Sequence, residues 1–137
     1  MNLIKLTSLT LITALVVLLP HKSLAAESMA PTAYKSGIPA CQECVVACEI
    51  CATACLNEPE VKTMVTCIKL CRDCVDVCSL CTQLMARDSE HAANACSLCA
   101  KICQACTDEC AKHQMGHCQA CTIACQKCAD ECKKIAD

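Results

Sequence analysis

CSLCAKICQACTDEC, running from Cys96 to Cys110, is the stretch whose reading decides the fold. Its cysteines fall three, four, three and four residues apart. The same steps recur at Cys41, Cys44, Cys48, Cys51 and Cys55, and again at Cys118, Cys121, Cys125, Cys128 and Cys132. A further set, Cys67, Cys71, Cys74, Cys78 and Cys81, carries them in inverted order. All 20 cysteines of the 137-residue chain belong to one of these quintets. Alternating steps of three and four average about 3.5 residues, close to the helical period, so each quintet lines one face of a helix. A helix seam of this kind ordinarily carries Leu or Ile. Here it carries sulfur.

Working outward, the N-terminal stretch 1–25 reads as a signal peptide: Lys5 supplies a positive start, 6–19 is an apolar run, and Ser23-Leu24-Ala25 offers a small-residue cleavage site. That run is shorter than the roughly 20 residues needed to span a bilayer. The expectation is therefore an exported protein, periplasmic where the host has two membranes, with no membrane contact in the mature form. Residues 26–37 lack any period and are expected to be a flexible leader. The domain proper is 38–137.

Pro39 suits the start of helix one, which is expected to run to residue 56. Asn57 with Glu60 three residues on reads as a capping box opening helix two, over 58–86. Asp88 or Ser89 is expected to cap helix three, to residue 113, and Gly116 to act as a helix stop before helix four at 117–136. Connections this short force neighbours antiparallel, so the expected fold is all-α: an up-down-up-down antiparallel four-helix bundle with a cysteine-lined core.

In that arrangement the inverted order of helix two brings its cysteines into phase with helix one. Five rungs of four thiols are expected, with Cys41, Cys81, Cys96 and Cys132 at one end and Cys55, Cys67, Cys110 and Cys118 at the other. Cys48, Cys74, Cys103 and Cys125 form the middle rung, and helix four is slightly offset. The column is about 21 Å long.

Composition narrows the chemistry. Without Lys5 and Lys22 the chain has 10 basic and 14 acidic side chains, and its one aromatic residue is Tyr34. Nucleic-acid binding, which calls for a basic patch and stacking platforms, is disfavoured. No triad, acid pair or phosphate loop is visible, so an enzyme is not expected. Disulfides within a quintet would distort its helix, because i,i+4 Cβ atoms stand about 5–6 Å apart and a disulfide wants about 3.5–4.5 Å. Five stacked zinc sites with four thiolates each would bury a charge of about −10. The iron–sulfur spacing is incomplete, and no quintet supplies the His of a haem-attachment motif.

Cu(I) fits better, being soft, thiolate-preferring and content with two or three ligands. On the order of 20 Cu⁺ would neutralise 20 thiolates. A broad thiolate sink for Zn, Cd or Ag and an Fe–S electron-transfer protein remain as alternatives.

Four helices, each carrying C-x-x-C-x-x-x-C steps on its inner face over residues 38–136, resemble the bacterial copper storage proteins. That resemblance implies a bundle storing many Cu(I) ions on its cysteines, often as a homotetramer, to supply a copper-accepting enzyme or chaperone. Val46 and Ile50, outside the seam, agree with a homo-oligomer. The resemblance also implies a Met/His-bearing open end. Past the Cys55 rung the seam continues to Met64 and His113, with Met115 and His117 in the adjoining turn, and these are the candidate entrance ligands. Past the Cys41 rung come Gly37, Met85, Ala92 and Ile135, an apolar plug.

Overall fold

Four helices follow one another along the chain: α1 (Gly37–Leu56), α2 (Val65–Ala86), α3 (Ala92–Cys110) and α4 (Gly116–Ala136). They come from a computed structural model that describes residues 31–137; the expected signal peptide and the first part of the expected leader lie outside the described residues. Each helix packs against its sequence neighbours, and α4 closes the ring on α1, giving the antiparallel four-helix bundle. No strand occurs among the described residues.

The seam faces inward on all four helices, and every cysteine is fully buried. Its companions in the core are small: Ala40, Ala52, Ala92, Ala95, Ala100, Ala124 and Ala129 are buried with it. Small side chains let helix backbones approach closely, which is what brings sulfur from different helices together. Among fully buried side chains only Met64 and Met85 exceed cysteine in size, and they sit at opposite ends of the column. Lys69, Asp76, Lys101, Asp108 and Asp130 point to solvent, as the seam requires. Arg72 pairs with Glu49 at 2.7 Å and Lys127 with Glu43 at 2.5 Å, bracing α1 from both sides. Exposed pairs of this kind contribute little, roughly 0–1 kcal/mol each.

The helix ends depart from expectation. Asn57 does not open helix two; its Nδ2 donates to Thr53 O at 3.0 Å and its backbone N–H to Ala54 O, so it closes α1. The last carbonyls of a helix are orphans, and this side chain meets that need before it can serve the next helix. A 3₁₀ turn, Val61–Met64, then leads into α2, with Thr63 bonding Glu60 O through both its amide and its hydroxyl. The turn is what swings Met64 into the core.

Ser89 caps a turn and not α3: its Oγ accepts from the His91 amide at 3.3 Å, one turn ahead of Ala92. Asp88, at φ 51°, makes the left-handed bend that lets α2 reverse, a conformation Asp tolerates better than most residues. Gly116, expected to stop a helix, is instead the first residue of α4, behind an extended Met115. None of the four helices has a side-chain N-cap bond, so the bundle depends on its core and not on its caps. At the N-terminus α1 begins two residues earlier than expected, and a 3₁₀ turn, Thr32–Tyr34, precedes it with Tyr34 packed against the core.

Gly37 is buried where α1, α2 and α4 converge. A Cβ there would sit inside van der Waals contact of Ile135 Cδ1 and 3.0 Å from Met85 Sδ. Gly37→Ala is expected to destabilise the copper-free bundle by about 1–3 kcal/mol in denaturant unfolding. The same change made in an Ile135→Ala background should cost measurably less, since the obstructing side chain is gone.

Candidate metal centre

The thiols do not stack as five separate rungs. Cys41 lies 3.7 Å from Cys132 but also 3.6 Å from Cys128, and Cys48 lies 3.4 Å from Cys125 and 3.6 Å from Cys121. The offset expected for helix four therefore threads each level into the next. Both end rungs form in part, through Cys81–Cys96 at 3.1 Å and through Cys67–Cys110 at 3.3 Å. The middle rung splits: Cys103 turns to Cys44 at 3.8 Å and Cys78 at 3.6 Å, leaving Cys74 with Cys48 and Cys125. Diagonal contacts such as Cys78–Cys128 at 3.7 Å cross the bundle axis, so no space is left for a channel at that level.

Overlapping tetrads result. Cys48, Cys71, Cys106 and Cys121, one from each helix, have sulfurs all within 4.8 Å of one another; so do Cys44, Cys78, Cys103 and Cys128. Cys44 and Cys48 then recur together in a tetrad with Cys74 and Cys125, and Cys128 recurs with Cys41, Cys99 and Cys132. A thiol shared by two tetrads is placed to bridge two ions. Along one helix, i,i+4 sulfurs are 3.7–3.9 Å apart, as in Cys121–Cys125 and Cys51–Cys55. That is close to the span of a linear S–Cu–S unit, about 4 Å, so copper fits without bending the helix. All 20 cysteines are free thiols.

Beyond the Cys55 end of the column lies a cavity of about 400 Å³ lined by Glu58, Glu60, Met64, His113 and Met115, with no cysteine in its wall. His117 does not line it; it sits on the first turn of α4 with Nε2 3.7 Å from Glu58 Oε1. His113 Nε2 stands 3.7 Å from Glu109 Oε1 in the same way. Both separations are too long for hydrogen bonds, and both nitrogens are buried without a partner. Unpartnered imidazole nitrogens and thioethers are donors that a soft ion accepts. Glu109 was not singled out from the sequence; its i,i+4 relation to His113 is the signal that finds it. The other end is shut. Met85 and Ala92 are fully buried there, Leu84 nearly so, and Ile38 and Ile135 pack on them.

At this end of the column burial raises two thiols, whereas the Cys110 thiol beside Cys67 holds Cys67 down. Burial pushes the Cys55 thiol up, and it pushes Cys118 up to about 12, with negative charge on Cys67 and Cys55 adding to the effect. Cys55 and Cys118 must therefore be deprotonated against their surroundings before they hold metal.

A sequence profile described as the copper storage protein family, Csp, matches residues 30–137. An uncharacterised cysteine-rich protein of Bacillus subtilis, YhjQ, is 46% identical over 80 residues, which is 58% of this chain and 74% of that protein. The Cu(I)-bound copper storage protein BsCsp3 superposes with a TM-score of 0.74 at 43% identity, covering 77% of this chain and 99% of its own. A cytosolic copper storage protein of Streptomyces lividans, with five coppers, gives a TM-score of 0.73 at 35% identity over 76% of this chain and 92% of its own. The expected export to the periplasm is corrected by that relative, which is described as cytosolic. The physical reason lies in the thiols: a reducing compartment keeps cysteines free, whereas an exported chain meets conditions that favour disulfides.

The raised thiol pKa values set a pH dependence. The unfolded chain ionises these groups near their ordinary value of 9.0, while folded Cys118 holds its proton to about 12. Their contribution to stability is thus complete below pH 9 and lost as pH rises towards 12. Thermal unfolding of the reduced, copper-free protein should show a falling Tm across that window. Cu(I) affinity should move the opposite way and strengthen as pH rises, since each thiolate bound releases a proton.

Proposed function

The chain belongs to the copper storage protein family, and within that function, the binding of many Cu(I) ions by cysteine thiolates inside a four-helix bundle, we propose that all 20 cysteines are ligands. The observation that carries this reading is the sharing of thiols between tetrads. Isolated four-coordinate sites would use each cysteine once; a lattice in which Cys44, Cys48 and Cys128 each belong to two groups suits bridging sulfur and a metal-to-thiolate ratio near one.

Charge supports the same reading. A 1:1 lattice of Cu⁺ and thiolate is neutral, so burying it carries none of the penalty that several −2 zinc tetrathiolates would bring. The function is sequestration and later release to copper proteins, with no turnover. The compartment is the cytosol, where thiols stay reduced without further protection.

Copper passes through the end bearing Met64, His113, Met115 and His117. A thioether and an imidazole hold Cu(I) less firmly than thiolates do, so an ion is drawn inward along a gradient of ligand strength. Glu58 and Glu109 add negative charge beside the two histidines. A partner chaperone or copper enzyme would exchange ions at this same end. Val46 and Ile50, each 59% exposed on the outer side of α1, are the surface through which copies of the chain would associate.

An anaerobic Cu(I) titration of reduced protein against a competing chelator tests the ligand set. Saturation on the order of 20 ions is expected. Saturation at four or five, or capture of Zn in preference to Cu, would refute it. Replacing Met64, His113, Met115 and His117 with Ala should slow loading in stopped-flow measurements and leave the final capacity unchanged. Unaltered loading kinetics would remove the entrance assignment.

A further inference from the structure

The two closest sulfur–sulfur approaches among the described residues are Cys81–Cys96 at 3.1 Å and Cys67–Cys110 at 3.3 Å. Both join α2 to α3, and they lie at opposite ends of the column. To become a disulfide each pair has to close by little more than about 1 Å, since a bonded S–S distance is about 2.05 Å. Their surroundings differ sharply. Cys81 and Cys96 are each one helical turn from the plug residues Met85 and Ala92, both fully buried. Cys67 and Cys110 are each one turn from Met64 and His113, which line the open cavity.

We propose that Cys67 and Cys110 form a peroxide-responsive disulfide latch directly behind the mouth of the store. The proposal rests on the entrance reading given above: a solute small enough to follow a copper ion inward meets the rung of Cys55, Cys67, Cys110 and Cys118 first, and Cys67–Cys110 at 3.3 Å is its closest pair, against 3.9 Å for Cys55–Cys67 and Cys55–Cys118. Hydrogen peroxide is of that size.

In the reaction one thiol loses its proton and its sulfur attacks a peroxide oxygen. The O–O bond breaks, leaving a sulfenic acid and a hydroxide that leaves as water with that proton. The partner sulfur then attacks the sulfenic sulfur, the S–OH bond breaks, and the second thiol proton departs with the hydroxide as water. Two thiols and one peroxide become one disulfide and two waters. The sulfur pair is oxidised by two electrons and the peroxide reduced by two.

Closure removes two thiolates from the entrance and ties α2 to α3 where the column opens. A copper-free store would then accept ions more slowly under peroxide, the condition in which loosely held Cu(I) does most harm. A cellular dithiol reverses the bond by exchange.

The test uses the reduced, copper-free full chain under anaerobic conditions, treated with one equivalent of hydrogen peroxide, alkylated, and mapped by peptide mass spectrometry. The expected result is loss of two of the 20 thiols, with Cys67–Cys110 the first cross-link formed. Copper loading should slow on treatment and recover with dithiothreitol. Cys67→Ser and Cys110→Ser should each abolish the early cross-link and the slowing together. Cross-links spread through the middle of the column, or none at all, would overturn the latch while the Met64 and His113 variants still judge the entrance separately. A first cross-link at Cys81–Cys96 would overturn both, because small solutes would then be entering at the opposite end.

Discussion

Everything in this bundle depends on how closely sulfur from four helices can approach on one axis. Separations of 3.1–3.9 Å are reached because nothing larger than cysteine competes for the centre: its buried neighbours are mostly alanines, and the methionines stand only at the two ends. A thiol packs as a small hydrophobe, so the copper-free chain has a core that folds. The same core is latent with negative charge. Ionising it without a counter-ion is prohibitive in a medium this dry, and a monovalent soft metal removes the charge one thiolate at a time. Packing, acid–base behaviour and metal choice thus follow from one distance.

That column is polar along its length even though its lattice is nearly regular. The closed end is finished by Gly37, Ile135 and Met85 in contact so tight that a single added carbon has no room. The open end is finished by short turns, which tolerate a cavity, two histidines with unpartnered nitrogens and a buried thioether. Met64 and Met85 are chemically identical and almost equally hidden, yet one lines a cavity and the other sits in a plug. Their different surroundings decide it.

Much of the architecture was legible because the cysteine spacing is a helical period repeated four times, and a period needs no knowledge of neighbours. Helix ends were less legible. Asn57 and Glu60 satisfy a capping-box pattern, but the orphan carbonyls of α1 lie closer to Asn57 than any following amide, and the side chain turned back. Gly116 offered a stop signal, yet no left-handed residue is needed there once Met115 is extended. The apolar N-terminal run pointed to export, whereas the similar Streptomyces protein is described as cytosolic, a compartment in which thiols stay reduced.

The sequence by itself determined four amphipathic helices, an inward face of cysteine, and the antiparallel order that short connections impose, since each of these follows from local periodicity and chain reach. It also ordered the residues that continue the seam past either end. Only the tertiary structure decided which thiols belong together. The expected rungs assumed flat layers, whereas helix four enters out of phase and couples each level to the next, so Cys103 leaves Cys48 and Cys125 for Cys44 and Cys78. The reason is that inter-helix register is set by the packing of whole faces, and no single helix carries that information.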